Sequence, residues 1–167
     1  MPAGREREQV EAFYREQFPR VFGAVALYCG DAAVAEEIAQ EALLRAVASW
    51  RTVRKGNPAA WVHRVAINLA TSHFRRRAAE RRALSRAAHA GEHLDPPPGG
   101  DVMAALARLP QRPKAALVLR HYLGYSTRET ADLMDCSERT AKRLLQQAIA
   151  GMRTALEIDD RAPMRER

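Results

Sequence analysis

Between residues 32 and 50 the apolar positions recur at helical spacing. Ala35, Ile38, Ala39, Ala42, Leu43, Ala46 and Trp50 share one face, and Glu37, Gln40, Glu41 and Leu44 share the other. A second helix is predicted from Asn57, which can cap it, and Pro58, which suits a first helical position; Trp61, Val65 and Leu69 are expected to form its buried edge. Further on, "PKAALVLRHYLGY" supplies Leu117, Leu119 and Tyr122 as expected core. Ser126 is a plausible N-cap with Glu129 at the capping-box position, and Ala131 and Met134 point inward. Asp135, Cys136 and Ser137 make a turn, after which Ala141, Leu144, Leu145 and Ala148 repeat at helical spacing. Alanine, leucine, glutamate and arginine dominate outside the turns, and strand formers never alternate over a useful length, so the expected fold is all-α. In "AGEHLDPPPGG", residues 90–100, three prolines and three glycines forbid a continuing helix. Two small helical domains joined by a flexible Pro/Gly linker follow, the second containing a helix-turn-helix.

Composition adds limits. The 167 residues are 47% apolar and 28% charged, which suits a globular chain rather than a disordered one. No apolar run approaches the roughly 20 residues of a membrane span. "MPAGREREQVEAFY" is charged where a signal peptide would be apolar, which predicts a cytoplasmic protein. Cys29 and Cys136 lie far apart in no metal-like cluster, so they are expected as buried thiols in a reduced compartment.

The formal net charge of +7 invites a polyanion, and its distribution says more than its total. Asp31, Glu36, Glu37 and Glu41 occupy residues 31–41 with no base among them, whereas Arg75, Arg76, Arg77, Arg81, Arg82 and Arg86 face only Glu80. Separate acidic and basic surfaces imply different partners. In the last predicted helix Arg139, Lys142, Arg143 and Gln146 lie at i, i+3, i+4 and i+7. Laid in a major groove, that face offers arginine to guanine edges, glutamine to adenine and lysine to phosphate. Leu44 among acids and amides suits a protein contact, or equally a solvated face with one stray leucine. Arg64, Asn68, Thr71 and Arg75 lead into the arginine cluster and make a second nucleic-acid candidate, although Asn68 and Thr71 could be plain surface residues.

Other classes fit less well. "HAGEH", residues 89–93, matches the H-x-x-E-H pattern of some zinc proteases, but Gly91 and the prolines that follow deny it the helix it needs, so no metal, cofactor or enzyme activity is expected. A membrane-surface role would need an aromatic-rich apolar face that the basic helix lacks. A stand-alone helix-turn-helix regulator is the stronger alternative, yet it leaves the Leu44 face and the Arg64 to Arg77 helix without employment.

"GDAAVAEEIAQEALLRAVASW", "NPAAWVHRVAINLATSHFRRR" and "LARLPQRPKAALVLRHYLGYSTRETADLMDCSERTAKRLL", in that order, resemble an extracytoplasmic-function sigma factor of the sigma-70 family. The resemblance implies sigma region 2 over residues 8–82, a linker over 83–100, region 4 over 101–157 and a basic tail over 158–167. It places Glu37, Gln40, Glu41, Leu44 and Arg45 against the β′ clamp helices of core RNA polymerase. It gives the −10 element to Arg54, Lys55, Asn57, Arg64, Asn68, Thr71, Arg75 and Arg76, with an unstacked base captured around residues 54–57. It gives the −35 element to Ser137, Arg139, Thr140, Lys142, Arg143, Gln146 and Gln147. The partners it implies are core polymerase, including the β flap, promoter DNA and an anti-sigma factor. The chain departs from the common Gly-Thr-Val-Lys-Ser-Arg of the family's recognition helix, having Arg139, Thr140, Ala141, Lys142, Arg143 and Leu144 there. Gln146 and Gln147 replace a frequently basic pair, and Ser72 stands where many relatives have aspartate.

Overall fold

The computed structural model describes residues 4–85 and 100–160, with side chains to residue 157. They fall into two compact helical units, and no strand occurs among the described residues. The first unit contains α1 (Gly4–Cys29), α2 (Ala32–Ala48), the single turn α3 (Trp50–Val53) and α4 (Pro58–Ser85). The second contains α5 (Gly100–Arg108), α6 (Gln111–Leu117) running into a π-helical turn (Val118–Tyr122), α7 (Thr127–Leu133) and α8 (Glu138–Asp160). The prolines of the expected linker, the "HAGEH" stretch and residues 161–167 of the basic tail lie outside the described residues. Among the described residues no helix is long and apolar enough to cross a membrane.

In the first unit α1 passes directly into α2. Gly30 adopts a positive φ of 69°, natural for the residue just past a helix end. Asp31 then caps α2, its Oδ1 accepting from the backbone N–H groups of Ala33 and Val34 at 3.0 and 3.2 Å. The inner face of α2 is the one its periodicity predicts: Ala35, Ile38, Ala39, Ala42, Leu43 and Ala46 are all buried. Four alanines there let α2 approach α1 and α4 closely, and the ring of Trp50 closes the lower edge at 5.0 Å from Phe13.

The buried line of α4 is not the expected one. Trp61, Val65 and Leu69 are only half-buried, and Val62, His63, Ala66, Ile67 and Ala70 carry the contact. α4 packs against both α1 and α2, so the middle of its inner face holds small residues and the bulky ones flank it. Thr71 belongs to this packing too. Its hydroxyl donates to the Ile67 carbonyl at 2.8 Å, which leaves its oxygen to accept from the Tyr28 hydroxyl at 3.3 Å. Burial raises the pKa of that phenol, so it remains a donor throughout the neutral range.

His63 is 1% exposed, and burial, with the Arg20 charge adding to it, pushes its imidazole down to about 4. The unfolded chain takes up this proton near pH 6.5, so between about 6.5 and 4 the unfolded state binds more protons than the folded one. Stability from a neutral His63 is therefore present above that window and lost as pH falls through it, by about 3 kcal/mol in all. Thermal melts between about pH 7 and 5 should show the first unit weakening. His63→Gln should flatten the decline, and an equal slope in both proteins would clear His63 as its cause.

The second unit departs from expectation at one place. Leu119 is buried as expected, but Leu117 is half-buried and Tyr122 is 48% exposed. The π turn explains this: the Leu123 N–H donates to the Val118 carbonyl, five residues back, at 3.0 Å. One extra residue in the turn carries Tyr122 outward and brings Leu123 into the core. Ala116, Leu144 and Leu145 form the centre, with Met134 packed against them. Cys29 and Cys136 are half-buried rather than buried, since each closes a helix end instead of facing a core.

Candidate polymerase and nucleic-acid interfaces

The periodicity that buries one side of α2 exposes the other. Glu37, Gln40, Glu41, Leu44 and Arg45 are all exposed, and Leu44, next to the fully buried Leu43, is 58% exposed. Beside it the Arg45 Nε donates to Glu41 Oε1 at 2.7 Å. Both partners are about half-exposed, so the pair contributes no more than about 0.5 kcal/mol, but it orders the rim around the leucine. An apolar centre with an ordered polar rim is suited to a protein partner.

The connection from α3 to α4 exposes Arg54, Lys55 and Asn57 on a backbone that is tied down. The N–H groups of Arg54, Lys55 and Gly56 donate to the carbonyls of Trp50, Thr52 and Val53. Asn57 Oδ1 accepts from the Ala60 N–H at 3.0 Å and caps α4, so that oxygen is engaged within the chain. Along α4, Arg64, Asn68, Arg75 and Arg76 are exposed. Thr71 is separated from them by its inward hydrogen bonds. Ser72, not singled out as a site residue in the sequence, is exposed instead and lies four residues from both Asn68 and Arg76, on their line. That spacing was the available signal.

In the second unit the two-helix motif is built by two caps and a left-handed residue. Ser126 Oγ accepts from the Glu129 N–H at 3.1 Å, and Glu129 Oε2 accepts from the Ser126 N–H at 2.7 Å. This reciprocal bonding holds the Glu129 carboxyl below the usual carboxylate range. Asp135 takes a φ of 52°, which sends the Cys136 N–H back to the Ala131 carbonyl at 3.0 Å and ends α7. Ser137 Oγ accepts from the Thr140 N–H at 3.1 Å and donates to Thr140 Oγ1 at 2.9 Å, which starts α8. Ala131 and Ala141, 2% and 0% exposed, are buried on α7 and α8, which pack together.

The outer side of α8 then presents Arg139, Lys142, Arg143 and Gln146, all exposed, around a shallow depression of about 440 Å³. Thr140 lines its edge half-buried, and Gln147 is exposed on the neighbouring line. The hydroxyls of Ser137 and Thr140 are engaged in the cap. Lys142 Nζ lies 3.8 Å from Glu138 Oε1. Among the described residues no group of three His, Cys, Asp or Glu side chains is placed to hold a metal ion.

Comparison with known proteins accounts for both units. Residues 13–80 match the family "Sigma-70 region 2" and residues 100–150 match "Sigma-70, region 4". The chain is 32% identical over 142 residues to the RNA polymerase sigma-E factor of Streptomyces coelicolor, covering 79% of this chain and 78% of that one. It is 29% identical to the ECF RNA polymerase sigma factor SigK of Mycobacterium ulcerans, covering 91% of this chain and 88% of the relative. The solved structure of the sigma factor RpoE in complex with the anti-sigma factor NepR, from Bartonella quintana, shares the fold. Its TM-score is 0.74 at 20% identity, over 91% of this chain and 99% of that one. The chain belongs to the extracytoplasmic-function group of the sigma-70 family: it is an alternative sigma factor, not an enzyme, and it binds core RNA polymerase and promoter DNA to direct transcription initiation.

Proposed function

We propose that the two units divide the work of promoter recognition among three surfaces. The α2 face, with Leu44 at its centre and Glu37, Gln40, Glu41 and Arg45 around it, docks on the β′ clamp helices of core polymerase. The α3–α4 turn and the exposed line of α4, from Arg54 and Lys55 through Arg64, Asn68, Ser72, Arg75 and Arg76, meets the −10 element. Arg54 and Lys55 flank the place where an unstacked base is held. The outer side of α8 reads the −35 element. Residues 8–82 and 101–157 are the corresponding functional regions, and the segment between them acts as a tether. Docking of one unit makes the second contact effectively intramolecular, so two weak readers yield one selective complex.

The observation that carries this reading is the physical difference between the faces. α2 exposes a leucine among acids, which nucleic acid would repel, while α4 and α8 expose arginine and lysine with almost no counter-charge. Ile149 and Leu156, seven residues apart on α8, also stay exposed and suit a polymerase contact such as the β flap. The RpoE structure contains an anti-sigma factor, and an inhibitor of that kind would act here by covering the α2 face. Cytoplasmic residence follows from these partners.

Variants of α8 test the −35 assignment. Arg139→Ala and Arg143→Ala should relax discrimination at defined −35 base pairs by about 1 to 3 kcal/mol each, as loss of a bidentate base contact does. Lys142→Ala should weaken all promoters alike and flatten the salt dependence by about one unit, the behaviour of a phosphate contact. Transcription from a randomised −35 library with core polymerase measures both effects. Unaltered base preference in both arginine variants would remove α8 from DNA reading.

A further inference from the structure

We infer that Glu138 is a specificity-determining residue of the −35 reader, accepting a hydrogen bond from an exocyclic amino group in the major groove. The inference rests on the assignment of α8 to the −35 element. Glu138 is the first residue of α8 and stands four residues before Lys142 and eight before Gln146, at the head of the same stripe. Its side chain is 51% exposed, and its one ion pair, to Lys142 at 3.8 Å, is solvent-exposed on both sides. Such a pair is weak enough for Lys142 to exchange it for a DNA phosphate on docking.

Every other member of the stripe can donate hydrogen bonds to phosphates or base edges. A carboxylate cannot, and within a polyanion's groove it is repelled unless it meets a donor. In the major groove the base-edge donors are the N4 amino group of cytosine and the N6 amino group of adenine, whereas guanine and thymine present the acceptors O6, N7 and O4. The recognition helix of a helix-turn-helix reads base edges with its N-terminal residues, which is where Glu138 lies. One −35 position should therefore require cytosine or adenine on the contacted strand, with guanine and thymine rejected by the same charge. Release of Lys142 from the pair then adds a phosphate contact that the free chain holds in reserve.

The test is transcription from a randomised −35 library with core polymerase and the full-length chain, comparing wild type, Glu138→Ala and the isosteric Glu138→Gln, with Arg143→Ala and Arg139→Ala alongside. Glu138→Ala should reduce the preference for an amino-bearing base at a single position by about tenfold or more. It should also raise binding to sequences carrying guanine or thymine there. Glu138→Gln keeps an acceptor and should retain part of the preference while losing the repulsion. Two outcomes would overturn the inference: unchanged preferences in both Glu138 variants while an arginine variant changes one, or a uniform loss on every sequence, which is what a purely structural role at the helix start would give. If the arginine variants also leave every preference intact, the assignment of α8 itself falls, and this inference with it.

Discussion

Leu44→Asp will reduce affinity for core polymerase by about a hundredfold or more while leaving the chain folded. Leu44 is 58% exposed and lies opposite the buried Ala39, Ala42 and Ala46, so aspartate there disturbs no packing in the free protein. In the complex the same position becomes the desolvated centre of the contact. A carboxylate placed there would be buried without a partner, among Glu37 and Glu41 of its own helix, and an uncompensated buried charge costs about 3 to 5 kcal/mol. Truncating the same residue in Leu44→Ala should cost less, because it removes apolar area without adding a charge. Titration of labelled core polymerase with each variant, with circular dichroism to confirm the helices, reads both halves of the prediction. Wild-type affinity in Leu44→Asp would remove this face from polymerase docking.

Ala141→Asp will unfold the second unit and spare the first. Ala141 is 0% exposed on α8, which packs against both α7 and α6. Aspartate there must either bury an ionised carboxylate without a partner or push α8 off its neighbours. Either cost is several kcal/mol, comparable with the whole stability of a unit this small. The units are separately compact, so hydrogen exchange should show protection lost across residues 100–157 and kept across α2 and the first half of α4. Exchange protection lost equally in both units would mean that they fold as one body.

The residues where sequence reading succeeded share a cause. On α2 the apolar and polar positions are cleanly separated at helical spacing, so both the buried Ala39 and Leu43 and the exposed Glu41 and Leu44 could be placed in advance. The Ser126 and Glu129 capping box and the turn through Asp135 depend on contacts within a few residues, which local sequence contains. Failures arose where tertiary packing or an irregular backbone set the register. On α4 the largest apolar residues were taken as the buried edge. A helix wedged between two others buries the small ones between them instead, and Trp61, Val65 and Leu69 sit at the sides.

Tyr122 was misplaced because nothing in "VLRHY" announces a π turn, and one extra residue rotates everything after it. Thr71 reads as a surface threonine until Tyr28, 43 residues earlier, is placed against it. α1 runs through Pro19, a residue that ordinarily signals a break, so its full length was not evident from the pattern. Glu138 passed for half of an ordinary surface pair with Lys142; only its position at the start of the exposed α8 stripe gives it another meaning.

The central claim is that separate surfaces of the two units read separate promoter elements within one polymerase complex. Site-specific photocrosslinking tests it most directly, with a photoreactive side chain installed at position 68 on α4 or at position 143 on α8. In a complex with core polymerase on a single promoter, position 68 should crosslink at the −10 element and position 143 at the −35 element, each strongly only when core polymerase is present. Crosslinks from both positions to the same element, or no DNA crosslink from position 143 in an active initiation complex, would contradict the account.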